Sequence, residues 1–232
     1  MRYSMRARLL MLLAPLAVIL IIAGGCAYDL LLPYVYTPPC SSASIVVFDA
    51  TGLVKGVGLR YAKVVNGFTI PTFLSMGKCG SRAIVIVSHG LKLVSTLSLP
   101  RGSFALETSE PASALAFLEY PLYILLEGVV RGESFGSSEV RLAVTSRMIP
   151  FMSSLDGKIV VLLTCPMGRI GDFAKALAEK GCALVAYPKF DVSESSVAKL
   201  LIEVVKALHG ASAEEAAKNL ERLGFVVIRC GR

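Results

Sequence analysis

Four β-branched residues in succession, Ile84 to Val87, constrain this chain more than any other stretch. Branching at Cβ stiffens the side chain and disfavours helix. With no polar residue at alternate positions, the run has no face to turn to water, so it reads as a parallel strand covered on both sides. Lys158 to Cys165 (KIVVLLTC) has the same form. Each run delivers one reactive side chain at its C-terminal end: SRAIVIVSHG closes on His89-Gly90, and KIVVLLTC on Cys165.

Around these two runs, buried strands alternate with one-faced helices. Ile45 to Phe48 (IVVF) reads as the first strand, with Asp49 at its end. From Thr51 to Lys78 glycines interrupt the pattern, and a short helix is predicted near Leu59 to Val65. Leu91 to Ser103 reads as a hairpin. Ala112 to Val130 is apolar, charged only at Glu119 and Glu127 and divided by Pro121. It reads as a core helix plus a strand, or else as a flap over the site or a surface resting on a membrane. Thr145 to Leu155 reads as a short helix. Beyond Cys165, Ile170, Phe173, Ala174, Leu177 and Ala178 mark one face of a helix stopped by Gly181. Ala183 to Tyr187 is a strand. Val197, Leu200, Leu201, Val204, Val205 and Leu208 mark a helix that begins after Asp191 or Ser193 and stops at Gly210. Ser212 and Glu215 form a capping box opening a last helix, and Phe225 to Ile228 is a final strand. The alternation predicts the α/β class: a three-layer α/β/α sandwich with a mostly parallel sheet.

The 232 residues suffice for one domain with a real core, and part of their 54% hydrophobic content lies in one N-terminal segment. Leu9 to Ala27 carries no charge, and its nineteen residues span roughly 28 Å as a helix, about the thickness of a bilayer core. Arg2, Arg6 and Arg8 precede it, so the positive-inside rule places Cys40 onward outside the cytoplasm. The expected organisation is a basic cytoplasmic stub over 1–8, a transmembrane anchor over 9–27, an extended stalk over 28–43 and the α/β domain over 44–232. The protein is then a single-pass protein of the cell membrane. A cleaved signal peptide is one alternative. A lipoprotein is another, with Ala23-Gly24-Gly25-Cys26 as lipobox and Cys26 lipidated. The net charge is +7, and three of the basic residues belong to this segment. No basic run with interleaved aromatics supports a nucleic-acid partner.

Only two histidines occur, His89 and His209, so any histidine-dependent chemistry uses one of them. In open α/β sheets reactive groups gather beyond the carboxyl ends of the strands, where His89 and Cys165 both fall. Cys165 precedes a helix, whose N-terminal dipole favours a thiolate. His89 is its base or imidazolium partner. The backbone N–H groups of Gly90 and Cys165 are candidates for an oxyanion hole. The plainer readings are a small buried thiol and an ordinary His-Gly turn. Gly132-Glu-Ser134-Phe-Gly136 fits a nucleophile elbow, with His209 downstream and Asp172 or Asp191 between, which makes a serine hydrolase using Ser134 an alternative. An elbow is followed directly by a helix, however, and here Ser137, Ser138 and a strand-like EVRLAV follow. Gly56-Val-Gly58-Leu-Arg-Tyr61 begins like a dinucleotide fingerprint but has Tyr61 where the third glycine belongs, and Gly77-Lys78 is followed by Cys79 rather than Ser or Thr. No cofactor and no metal are expected.

The segments AIVIVSHG, KIVVLLTCPMG and AKALAEKGCALVAYPKFDVSESSVAKLLIEVVKALHGASAEEAAK, in that order, resemble the caspase–gingipain–legumain group of cysteine peptidases, in particular its CHAT and bacterial caspase-like branch. The resemblance covers Ile84 to Lys218, with an unmatched insertion around Ser103 to Gly136. It implies a caspase-like α/β/α domain, peptide or protein substrates, hydrolysis through a thioester, His89 and Cys165 as the catalytic pair, and Gly90 and Cys165 as oxyanion donors. Asp191 is a candidate substrate-binding residue that would select Arg or Lys, against its plainer reading as a helix cap. A non-catalytic binding or scaffold module of the same fold is the principal rival.

Of the six cysteines, Cys26 and Cys165 are set aside, leaving Cys40, Cys79, Cys182 and Cys230 with three pairings open. Disulfides are permitted in an extracytoplasmic domain. If the strands are neighbours as the resemblance implies, the pairs are Cys40–Cys79 and Cys182–Cys230, both at the end of the sheet opposite His89 and Cys165.

Overall fold

The continuous apolar runs become the inner strands of a six-stranded sheet. The computed structural model describes residues 5–40, 43–93, 99–113, 116–133, 139–165 and 168–230. Along the chain, α1 (Met5–Val35) precedes β1 (Ile45–Asp49), β2 (Ala62–Asn66), α2 (Ile70–Ser75) and β3 (Ala83–Val87). Next come β4 (Gly90–Lys92), β5 (Phe104–Pro111), the short helices α3 (Ala116–Glu119) and α4 (Pro121–Leu125), β6 (Val129–Glu133) and β7 (Val140–Thr145). Then follow β8 (Ile159–Leu163), α5 (Ile170–Ala178), β9 (Leu184–Pro188), α6 (Glu194–Leu208), α7 (Ala213–Arg222) and β10 (Phe225–Arg229).

The main sheet has the order β10-β9-β8-β3-β1-β2. Its strands run parallel except β10, which pairs antiparallel with β9. Every residue of β1, β3 and β8 is buried, as an apolar run without alternation requires. Ile84, Ile86, Val160 and Leu162 pack on one side with Phe73, Phe104 and Phe173. Val85, Val87, Val161 and Leu163 pack on the other with Val197, Leu201, Val204 and Leu220. Each such fully buried side chain contributes about 1.5–3 kcal/mol. The chain is thus a mixed α/β protein with a largely parallel sheet covered on both faces and an apolar N-terminal helix.

The local signals at the C-terminal end hold. Ser212 Oγ accepts from the Glu215 N–H at 3.2 Å while Glu215 Oε2 accepts from the Ser212 N–H at 2.7 Å, closing the capping box. Gly210 and Gly224 follow the ends of α6 and α7 with φ of 69° and 86°, conformations that suit glycine.

Three expectations change. The helix predicted near Leu59 to Val65 is instead β2, an edge strand whose residues alternate in exposure except at Val65 and whose partner is β1. The hairpin after His89 grows into a second, antiparallel sheet of order β4-β5-β7-β6 inserted between β3 and β8. The extended stalk expected over 28–43 is helical as far as Val35, because one face of that segment is docked on the domain. Asp29, Leu32 and Pro33 are buried there. Asp29 Oδ2 accepts from the Leu122 N–H at 2.9 Å, and the Tyr123 hydroxyl donates to the Asp29 carbonyl. Lys78 Nζ donates to the carbonyls of Tyr34 (2.6 Å) and Tyr36 (3.1 Å), which closes the end of α1. Within α1, Leu13–Val35 is long and apolar enough to cross a membrane, with a mean hydropathy of 2.1.

Candidate functional site

β3 and β8 lie side by side in a register that runs from Ala83 opposite Ile159 to Val87 opposite Leu163. The Ser88 N–H donates to the Leu163 carbonyl at 3.3 Å, carrying the ladder one step further. Continuing that count sets His89 against Cys165. Side chains alternate along a strand, so both residues, two beyond Val87 and Leu163, belong to the face on which α6 packs. Neighbouring strands are about 4.8 Å apart. His89 and Cys165 are both half-buried, and they line one cleft of about 220 Å³. That volume is below the roughly 300–1,000 Å³ of drug-sized small-molecule pockets.

Gly90 opens β4 directly after His89. The Glu107 N–H donates to the His89 carbonyl at 3.0 Å, so His89 and Glu107 form a hydrogen-bonded pair. In an antiparallel ladder such pairs alternate with non-bonded ones. Gly90, opposite Leu106, therefore directs its N–H away from β5, and β4 is the edge of its sheet. A Cβ at Gly90 would stand 2.6 Å from the Cys165 carbonyl oxygen and 2.8 Å from Thr164 Oγ1. Only glycine lets the two strand ends meet this closely.

The Cys165 thiol donates to the Val192 carbonyl at 3.2 Å. Val192 belongs to the segment between β9 and α6, which continues the cleft through Ser193 and Glu194. Asp191, the residue expected to bind substrate, is exposed and outside the cleft lining, whereas Glu194, in the first turn of α6, is part of it. The helix after Cys165 also begins later than expected. α5 starts at Ile170, five residues on, and Arg169 occupies its N-cap position, so its dipole is not applied directly at the sulfur.

The opposite wall is the loop after β1, and sequence reading did not assign it to the site. Asp49 is buried and acts as its organiser. Its Oδ1 accepts from the Thr51 N–H (3.0 Å), the Thr51 hydroxyl (2.8 Å) and the Gly52 N–H (2.9 Å), and its Oδ2 accepts from the Val54 N–H (3.1 Å). Thr51 and Leu53 then face the cleft. The readable signal was an aspartate at a strand end followed by Thr and Gly, the composition of a side-chain-closed turn. Thr164 Oγ1, packed beside Gly90, is buried with no hydrogen-bond partner among the described residues.

Of the serine-hydrolase alternative, His209 and Asp172 lie far apart. Ser134 lies outside the described residues. His209 caps the far end of α6 and stacks on Tyr61 with ring centroids 3.7 Å apart. Asp172 is paired with Arg169 at the start of α5, on the other side of the sheet.

Cys40 and Cys79 form a disulfide, with Cα atoms 5.6 Å apart, just before β1 and β3. Cys182 and Cys230 are thiols whose sulfurs lie 2.6 Å apart, before β9 and after β10. Burial pushes both of these thiols up from their ordinary pKa. Cys26 is a thiol within α1. Compared with protein-family models and with curated proteins, the chain matches none.

Proposed function

We propose that this is a membrane-anchored cysteine peptidase of the caspase-like kind, acting outside the cytoplasm with Cys165 as nucleophile and His89 as its proton partner. The observation that carries the reading is the arrival of His89 and Cys165 on one face of one cleft, from the C-terminal ends of neighbouring parallel strands. The order of elements supports it: a strand ending in His-Gly, a strand ending in Cys, then helix, strand and helix.

In this mechanism the thiol first leaves the Val192 carbonyl and gives its proton to His89. The thiolate adds to the scissile carbonyl, and the oxyanion takes hydrogen bonds from the outward Gly90 N–H and the Cys165 N–H. Donors of this kind are worth about 10²–10³ in rate each. The intermediate collapses to a thioester as the amine leaves with the proton from His89, and water then hydrolyses the thioester. The Cys40–Cys79 disulfide accords with an oxidising compartment, and the apolar stretch of α1 accords with an anchor.

A peptidyl acyloxymethylketone offered to the full-length protein in detergent tests this reading. The expected result is a covalent adduct on Cys165, absent in Cys165→Ala and slowed about 10²–10⁴-fold in His89→Ala. A protein that stays folded yet forms no adduct with a panel of such peptides overturns it. One observation favours the rival, a binding module of the same fold. The Cys165 thiol donates its hydrogen bond to the Val192 carbonyl, a partner that cannot serve as a base. Peptide binding without adduct formation would support that reading.

A further inference from the structure

Large apolar side chains on the surface are concentrated beside the anchor. Outside α1, five are exposed among the described residues. Tyr61 and Phe190 stand singly, while Leu118, Leu125 and Leu126 belong to α3 and α4 or the residue just after. Scattered exposed leucines need no explanation, but a group at one place does.

The place is set by α1. Its 31 residues make a rod of about 46 Å, longer than the roughly 30 Å hydrocarbon core of a bilayer. A span that begins after Arg8 uses about 20 residues and ends near Tyr28. α4 already meets the helix before that point. The Gly25 backbone lies so close to α4 that a Cβ there would be 2.7 Å from Pro121 Cγ and 3.8 Å from the Leu118 carbonyl. One turn on, Asp29 is held by the Leu122 N–H. Gly25 is about three residues, or roughly 4–5 Å, inside the end of that span. The side of α1 turned away from the domain remains apolar further on, with Tyr28, Leu31, Tyr34 and Val35 each more than half exposed. Tyrosines at this level are typical of the membrane–water boundary.

We propose that α3 and α4 form a platform that enters the lipid leaflet beside α1, with Leu118, Leu125 and Leu126 at the boundary between head groups and acyl chains. The occupant of this apolar face is lipid, because the face is continuous with the helix that crosses the bilayer and is clamped to it at Gly25 and Asp29. The inference rests on the reading of α1 as a membrane anchor. Two attachments then hold the domain, and the cleft keeps a fixed orientation to the membrane instead of swinging on a tether.

The chain contains no tryptophan, so a single introduced indole reports its own surroundings. The full-length variants Leu16→Trp, Leu125→Trp and Lys199→Trp are reconstituted in phosphatidylcholine vesicles whose acyl chains are brominated near the head group or near the bilayer centre. Leu16 lies in the anchor, and Lys199 is exposed on α6, on the opposite face of the sheet. The expected result is that Leu125→Trp emission is blue-shifted and largely quenched by the shallow bromine but not by the deep one, while Lys199→Trp is quenched by neither. Quenching of Leu16→Trp without quenching of Leu125→Trp overturns the platform and leaves the anchor standing. That outcome includes a protein partner covering Leu125. Absence of quenching at Leu16 as well overturns both.

Discussion

At the scale of single residues, the candidate site depends on an atom that is missing. Gly90 has no Cβ, and the space where one would stand is bounded by the Cys165 carbonyl, Phe104 Cε2 (2.6 Å) and Thr164 Oγ1. Two of these three are backbone or a ring in the core, which do not yield cheaply. Gly90→Ala should therefore lower stability by about 1–3 kcal/mol, the usual cost of overpacking. It should also remove most of the Cys165 reactivity, because relief of the clash displaces either the outward N–H or the cysteine. Gly80→Ala is the control, since a Cβ there meets nothing within 4 Å and its φ is ordinary. Urea titration together with adduct formation on the two variants checks this. Equal behaviour of the two would remove the argument for close approach. The pair His89-Gly90 was legible because a β-branched run can hardly be anything but a buried strand, and its last residue has to emerge somewhere. Asp49 and Glu194 were not. An aspartate that closes a turn and a glutamate in a helix's first turn look the same whether or not a cleft lies beside them. Asp191 drew the substrate-binding expectation because it follows the β9 strand, yet the chain turns so that Val192 and Glu194 face the cleft.

At the scale of elements, Glu110 joins the second sheet to α2 and α4, the helices against which α1 is docked. This β5 residue accepts from the Ile70 N–H at 2.8 Å, at the start of α2, and from the Tyr120 hydroxyl at 2.7 Å, at the head of α4. Burial raises its carboxyl pKa above the usual 4.5, the two hydrogen bonds oppose the rise, and nearby Glu119 adds to it. The folded state therefore binds this proton more tightly than the unfolded chain does. Its contribution is fully present below the unfolded value and is lost as pH rises through the folded one. The urea midpoint should fall with rising pH across that interval, and Glu110→Gln should flatten the slope. An unchanged slope in the variant would assign the effect elsewhere. These connections explain what the sequence left obscure. Tyr28 to Pro39, with its tyrosines and with Pro33, Pro38 and Pro39, reads as interfacial aromatics and an extended stalk. Its helix is docked where Leu122 and Tyr123, more than ninety residues away, donate to Asp29 Oδ2 and to the Asp29 carbonyl. No local pattern encodes such a partner. β2 was misread for a related reason. On an edge strand with mixed exposure, propensity decides little and pairing with β1 decides the conformation.

At the scale of the whole molecule, the candidate site and the covalent fastening sit at opposite ends of the same sheet. His89 and Cys165 lie beyond the carboxyl ends of β3 and β8, while Cys40, Cys79 and Cys182 all precede their strands. Because β10 runs antiparallel to β9, Cys230 at its end returns to the level of Cys182, and the Cys230 N–H donates to the Ala183 carbonyl at 3.2 Å. The two thiols face each other with sulfurs 2.6 Å apart, and their oxidation would close a second staple across the last two strands. The loop it closes has a sequence separation of 48, against 39 for Cys40–Cys79. On the chain-entropy account either loop is worth up to about 4 kcal/mol, and 2–4 kcal/mol is the ordinary yield. The first staple fastens the segment between α1 and β1 to the segment that leads into β3, the strand that delivers His89. The second fastens the free edge of the sheet, where β10 would otherwise fray. Non-reducing peptide mapping of protein exported under oxidising conditions should find Cys40 joined to Cys79, Cys182 joined to Cys230, and Cys165 as a free thiol. The double variant Cys182→Ser/Cys230→Ser should then lose about 2–4 kcal/mol in urea unfolding while still forming the Cys165 adduct. Alkylation of Cys182 and Cys230 in the exported, non-reduced protein would show that the last strand is held by packing and hydrogen bonds alone.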